Sequence, residues 1–92
     1  MTLELKKTSQ FKKDLKLAIK RGLPIELLEE VIQILREQKP LPPNNFDHKL
    51  TGNYKGFREC HIQPDWLLIY AVDGKELILT ASRTGTHSDL LE

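Results

Sequence analysis

Hydrophobic positions in the first part of the chain recur at helical spacing. Phe11, Leu15, Ala18 and Ile19 fall on one face of a helix that Thr8 or Ser9 caps, while Lys12, Lys13, Lys16 and Lys20 lie mostly away from it. Gly22 ends that helix, because it takes the left-handed cap conformation without penalty. Pro24 suits the first turn of a second helix, along which Leu28, Val31, Ile32 and Leu35 repeat at i, i+3, i+4 and i+7. Glu26, Glu29 and Glu30 sit toward its positive N-terminal end. The run KPLPPNN stops it. Ahead of the helices, residues 2–6 alternate as a short strand does.

From residue 46 the pattern is that of strands. FDHKL (46–50) reads as a short one, TGN as a turn and YKGFRECHI (54–62) as a longer strand that turns at QPD. WLLIYAV (66–72) is almost wholly apolar, as a central strand covered on both faces must be. Asp73-Gly74 predicts a two-residue hairpin into KELILTAS (75–82), and RTGTHSDLLE closes as a loop with one helical turn. The order β-α-α-β-β-β(-β) predicts one α+β domain over residues 1–92: a twisted antiparallel sheet with both helices on one face.

Composition changes little in this picture. Of 92 residues, 39% are hydrophobic and 29% charged, which suits a globular chain. Cys60 is the sole cysteine, so no internal disulfide forms, and a reducing compartment follows; no segment is apolar enough for a signal peptide or a membrane span, which predicts a cytoplasmic protein. The net charge is +1 but unevenly spread. Residues 1–21 hold seven Lys and Arg against Glu4 and Asp14, whereas from Pro40 onward five bases face seven acids. A basic patch of that kind binds phosphate whatever the total charge.

Candidate chemistry lies in the second half. His48, His61 and His87 all fall at strand ends or in loops, with Asp65 four residues after His61. RNA cleavage needs a base for the 2′-hydroxyl, an acid for the leaving 5′-oxygen and donors for the charge on phosphorus. Histidine serves the first two, since its unperturbed pKa is about 6.5. Arg83 or Lys55 can serve the third. Strand parity places Lys55, Phe57, Glu59 and His61 on one face and Arg58, Cys60 and Ile62 on the other, so Cys60 points inward as an inert thiol. Simple alternation puts Arg83 with Leu77, Leu79 and Ala81, so either the strand ends by Ser82 or a bulge redirects it. The histidines include acceptable zinc ligands, but no C-x-x-C or H-E-x-x-H spacing accompanies them, and no metal or cofactor is expected.

Three short motifs stand in order: D-H-x-L-x-G at 47–52, H-I-x-P-D-W at 61–66 and R-T-G-T-H at 83–87. With the segment Ser9–Asp14 that opens the first helix, they make the chain resemble, over essentially its whole length, the YafQ group of the RelE superfamily of bacterial toxins. The resemblance implies a small RelE-like fold, similar to microbial ribonucleases. It also implies the toxin of a type II toxin–antitoxin pair, a ribosome-dependent, metal-independent endoribonuclease that cuts messenger RNA in the ribosomal A site. Carried over by motif, the catalytic group is His48, His61, Asp65 and His87, with His87 as general acid and Asp65 or His61 as general base. His48 and Arg83 would hold the phosphate. Trp66 either packs beneath the site or stacks on RNA. The basic residues Lys12, Lys13, Lys16, Lys20 and Arg21 would meet ribosomal RNA. The implied partners are a cognate antitoxin, the ribosome and messenger RNA, with DNA reached only through the antitoxin and no membrane.

Chains of this group often carry an aromatic residue near the end, where this one has Leu91 as the corresponding substrate contact. Two other readings keep the fold: a ParE-like toxin acting on gyrase, and a catalytically weak, antitoxin-bound corepressor. The three histidines argue against both, while the missing aromatic keeps the second open; a metal-independent nuclease acting on free RNA is a third reading.

Overall fold

A computed structural model describes residues 2–91, and the side chain of Leu91 lies outside the described set. The elements are β1 (Glu4–Lys7), α1 (Ser9–Lys20), α2 (Ile25–Arg36), β2 (His48–Lys49), β3 (Arg58–Gln63), β4 (Trp66–Asp73), β5 (Ile78–Gly85) and α3 (His87–Leu91). They form one five-stranded sheet in the order β1-β5-β4-β3-β2. Strands β2 to β5 are antiparallel neighbours, as expected. β1 departs from the expectation: it pairs with β5 in parallel, Glu4 opposite Ile78 and Lys7 opposite Ala81, so the sheet is mixed. A parallel neighbour requires a long crossover, and the helices and three further strands between β1 and β5 supply it.

α1 begins where Thr8 Oγ1 accepts a hydrogen bond from Phe11 N at 3.0 Å. It ends in a Schellman cap, with Gly22 at φ 77° donating to Ile19 O and Leu23 donating to Ala18 O. Its buried face is Phe11, Asp14 and Ala18. Ile19, expected on that face, is 57% exposed. It lies about 100° around the helix from Ala18, and an acid occupies the stripe in its place. Asp14, only 9% exposed, is satisfied from β5: Arg83 donates Nε to Oδ2 (2.9 Å) and Nη2 to Oδ1 (3.2 Å), and Thr84 N donates to Oδ2 (3.1 Å). On α2, Leu28, Val31, Ile32 and Leu35 are all buried.

The apolar run of β4 lies between two clusters. Trp66, Leu68 and Tyr70 join Cys60, Leu79, Ala81 and the helix residues in the main core. Leu67 and Ile69 face the other way, under Leu90 of α3 and the partly buried Leu50, Tyr54 and Phe57.

Three boundaries differ from the pattern-based expectation. β3 starts at Arg58 because residues 52–54 form a 3-10 turn and Gly56 takes φ 94°. The β4–β5 connection is four residues, not two: Asp73 Oδ1 accepts from Lys75 N and Glu76 N, each at 3.0 Å, and Asp73 pairs with Ile78. β5 consequently runs on to Gly85, with a bulge at Ser82 where the register passes from Tyr70–Ala81 to Ile69–Arg83. Of the two readings of Arg83, the bulge holds. α1 is tied there, since Thr8 Oγ1 donates to Ser82 O at 2.7 Å.

Replacing Asp14 with Ala leaves a half-buried guanidinium and a buried N–H without their acceptor. The expected loss is about 3 kcal/mol of folding stability, read as a lower urea midpoint at unchanged slope.

Candidate active site

The sheet face opposite α1 and α2 carries the histidines along one rim. His48 opens β2 opposite Glu59 of β3. His61 follows two residues later on the same face as Glu59 and pairs with Leu67. Asp65 occupies the β3–β4 turn, and His87 is the first residue of α3.

α3 is positioned by reciprocal capping. Asp89 N donates to Thr86 Oγ1 at 3.1 Å and Thr86 N donates back to Asp89 Oδ2 at 3.0 Å. Arg21, the C-cap of α1, donates Nη1 to the same oxygen at 2.8 Å, and chiefly this bond holds the Asp89 carboxyl down at about 2. Gly85 leaves room for this cap: a Cβ there would press on the Asp89 side chain at 3.0 Å.

With α3 so placed, His87 N donates to Asp65 Oδ1 at 3.1 Å, and ring Nδ1 lies 2.7 Å from the same oxygen. The backbone bond first, and the ring bond second, hold Asp65 below the usual carboxylate range. Asp65 is therefore the acceptor and Nδ1–H the donor, which fixes the tautomer and leaves Nε2 as the working nitrogen. The His61 ring lies 5.6 Å from His87 at 62° and 5.5 Å from Phe46 at 66°, giving three rings edge to face in a row.

His48 closes the other side. Its Nδ1 lies 2.7 Å from Phe46 O, so that nitrogen donates, and its Nε2 is 3.3 Å from Glu59 Oε1. Both ring nitrogens thus face oxygens. Glu59 is 3% exposed, and its Oε2 has no partner among the described residues. Its neighbour in the loop, Asp47, accepts from the Tyr70 hydroxyl and, at 3.2 Å, from Arg58 Nε, which anchors His48 to the sheet.

The geometry therefore brings together His48, His61, Asp65 and His87, and adds Glu59 and Phe46. Pattern reading placed Glu59 on the face of His61 but gave it no role, because the β2–β3 register that sets it opposite His48 is not local. The other expected residues make different contacts. Arg83 chelates Asp14 with its guanidinium. Trp66 is 2% exposed and donates Nε1 to Thr84 Oγ1 at 2.9 Å, so its ring is core packing and offers no face to RNA. Lys55 lines a separate groove with Lys49, Phe57 and Val72. Leu91 ends α3, and its side chain lies outside the described residues. Burial pushes the Cys60 thiol up to about 12, which leaves it inert as a nucleophile. Among the described residues, no three of His, Cys, Asp and Glu converge to hold a metal ion.

A family model for the bacterial toxin of type II toxin–antitoxin systems, YafQ, matches residues 3–92. The chain belongs to the YafQ toxin family. It is 40% identical over 88 residues to the mRNA interferase toxin YafQ of Escherichia coli K12, covering 95% of this chain and 94% of that protein. The Escherichia coli DinJ–YafQ toxin–antitoxin complex contains a chain that superposes with TM-score 0.90 at 36% identity, over all of both chains. A metal-bound toxin from Helicobacter pylori superposes with TM-score 0.91 at 42% identity, over 97% of this chain and 99% of that one. The three YafQ-like motifs now have local reasons. Asp47 anchors His48, the Pro64-Asp65 turn delivers a carboxylate to His87, and Gly85 admits the Asp89 cap.

The cap gives a pH dependence. An unfolded aspartate titrates at about 3.9, and Asp89 in the fold titrates at about 2. A depressed carboxylate contributes stability above the unfolded value and loses it as pH falls through the folded one. Asp89→Asn is expected to flatten the fall in stability between about pH 4 and pH 2, checked by chemical denaturation across that range.

Proposed function

We propose that this chain is the toxin of a type II pair and an endoribonuclease that cuts messenger RNA on the ribosome, in the cytoplasm, without a metal. The observation that carries the reading is the histidine rim, in which one imidazole has its tautomer set by Asp65 and another stands beside it unbonded. Among the described residues the His61 ring makes ring contacts and no hydrogen bond, so its nitrogens are open to a substrate.

His61 takes the 2′-hydroxyl proton as the 2′-oxygen attacks phosphorus. His87 Nε2 gives a proton to the leaving 5′-oxygen, and a 2′,3′-cyclic phosphate remains. Asp65 orients His87 and stabilises the positive charge that the ring carries before the transfer. We assign the base role to His61 because Asp65 is already bound twice to His87. His48, braced between Phe46 O and Glu59 on the same rim, is the residue that holds the phosphate. Arg83 is assigned to the frame, not to the phosphate, since Asp14 holds it.

The relative from Escherichia coli carries the name mRNA interferase, and its complex with DinJ supports an antitoxin as the partner here. Lys12, Lys13, Lys16 and Lys20 are exposed on α1 and suit the phosphates of ribosomal RNA.

The test is cleavage of one defined messenger RNA by purified protein freed of transition metals, with and without translating ribosomes in magnesium buffer. Cutting is expected only with ribosomes, and His87→Ala should slow it about 10²- to 10⁴-fold. Cutting that appears only when a transition metal is returned to the protein would overturn the metal-free mechanism, and no cutting in any condition would overturn the nuclease.

A further inference from the structure

Phe46 has no place in the proton chemistry, yet it is the least expected residue on the rim. Its side chain is 64% exposed, the largest value among the exposed large hydrophobic residues. Its backbone is left-handed, at φ 48° and ψ 46°, which a bulky side chain adopts only where its surroundings force it. The forcing contacts are on both sides. Asn45 Nδ2 donates to His61 O at 2.7 Å, and His48 Nδ1 donates to Phe46 O at 2.7 Å. Strain of this kind gathers where a ligand is clamped. Here it raises a phenyl ring beside His61, its edge-to-face partner at 5.5 Å.

A groove of about 430 Å³ opens there, lined by Asn44, Phe46, His61, Gln63 and Pro64 among others. That volume is in the range of small-ligand sites, about 300–1,000 Å³. One wall is aromatic, and Asn44 and Gln63 each bring an amide with both a donor and an acceptor. A flat π-face with amides at its edge is the chemistry that holds an unpaired nucleobase.

We propose that Phe46 is the stacking platform of a nucleobase subsite, taking the base of a nucleotide that flanks the scissile phosphate, with Asn44 and Gln63 reading its edge. The subsite rests on the RNA-cleavage reading above and adds base preference to it. It also accounts for a strained, exposed aromatic ring in a chain whose last residues, Asp89-Leu90-Leu91-Glu92, include no aromatic one.

A double-mutant cycle tests it. Ribosomes carry an mRNA with a mapped cleavage point, either intact or abasic at the nucleotide immediately 5′ or immediately 3′ of the scissile phosphate. Each is cut by the wild type, Phe46→Ala and Phe46→Tyr. Removing one of the two bases should slow the wild type about 10- to 100-fold. Phe46→Ala should lose a similar factor on intact RNA and nothing further on that abasic RNA, and Phe46→Tyr should restore the rate. If Phe46→Ala slows all three RNAs equally, the ring only braces His61 and the subsite is wrong. If Phe46→Ala cuts intact RNA normally but binds the antitoxin more weakly, the groove belongs to the antitoxin and the subsite is again wrong. A wild type that cuts no RNA overturns the nuclease reading itself, an outcome distinct from normal cutting by Phe46→Ala.

Discussion

One carboxylate sets the frame of this molecule. Asp14 sits at the seam between α1 and β5 and receives four donors, two from the Arg83 guanidinium, one from Thr84 N and one from Gln10 Nε2. A charge at that depth is tolerated only when its acceptor capacity is filled. It is filled from the residues just past the bulge at Ser82, Arg83 through its guanidinium and Thr84 through its backbone N–H. Thr84 then extends the network inward, receiving the Trp66 indole N–H and donating its hydroxyl proton to Leu67 O. The bulge, the depth of α1 and the seat of the buried tryptophan are therefore one arrangement. Beyond it, Gly85 and Thr86 lead into α3, and His87 comes to Asp65.

The rim is built from two acid–imidazole pairs with His61 between them. The pairs are not alike. Asp65 is 67% exposed on its side chain, whereas Glu59 is almost enclosed. Water competes for the first carboxylate and is largely shut out from the second. The face thus carries a solvated imidazole oriented by an exposed acid on one side and, on the other, a half-exposed imidazole against an enclosed one.

The elements were legible in the chain because their patterns are local. The stripe Leu28, Val31, Ile32 and Leu35 is helical in spacing and buried in fact, and the run from Trp66 to Tyr70 is buried on both faces. The motifs likewise placed His48, His61, Asp65 and His87 near one another. What escaped was set by distant partners. Asp14 looked like a surface residue until β5 supplied Arg83, and Ile19 looked buried because hydrophobicity alone cannot foresee an acid in the stripe. The ion pair of Arg83 with Asp14 escaped for the same reason. Glu59 needed the register of a two-residue strand, and the left-handed turn at Phe46 carries no glycine to announce it.

The parallel pairing of β1 with β5 has a kinetic side. It joins Glu4 to Ile78 and Lys7 to Ala81, positions almost a full chain length apart, and α1 docks on the same strand. The meander from β2 to β5, by contrast, closes through short turns. Contacts of such unequal range do not form together, since ordering a long loop costs entropy before its contacts can offset it. The meander that bears His48, His61 and Asp65 can assemble while the N-terminal strand and helix are still searching. Their docking joins Asp14 to Arg83 and Thr84 and brings Arg21 to the α3 cap, so the support beneath His87 includes some of the longest-range contacts in the fold.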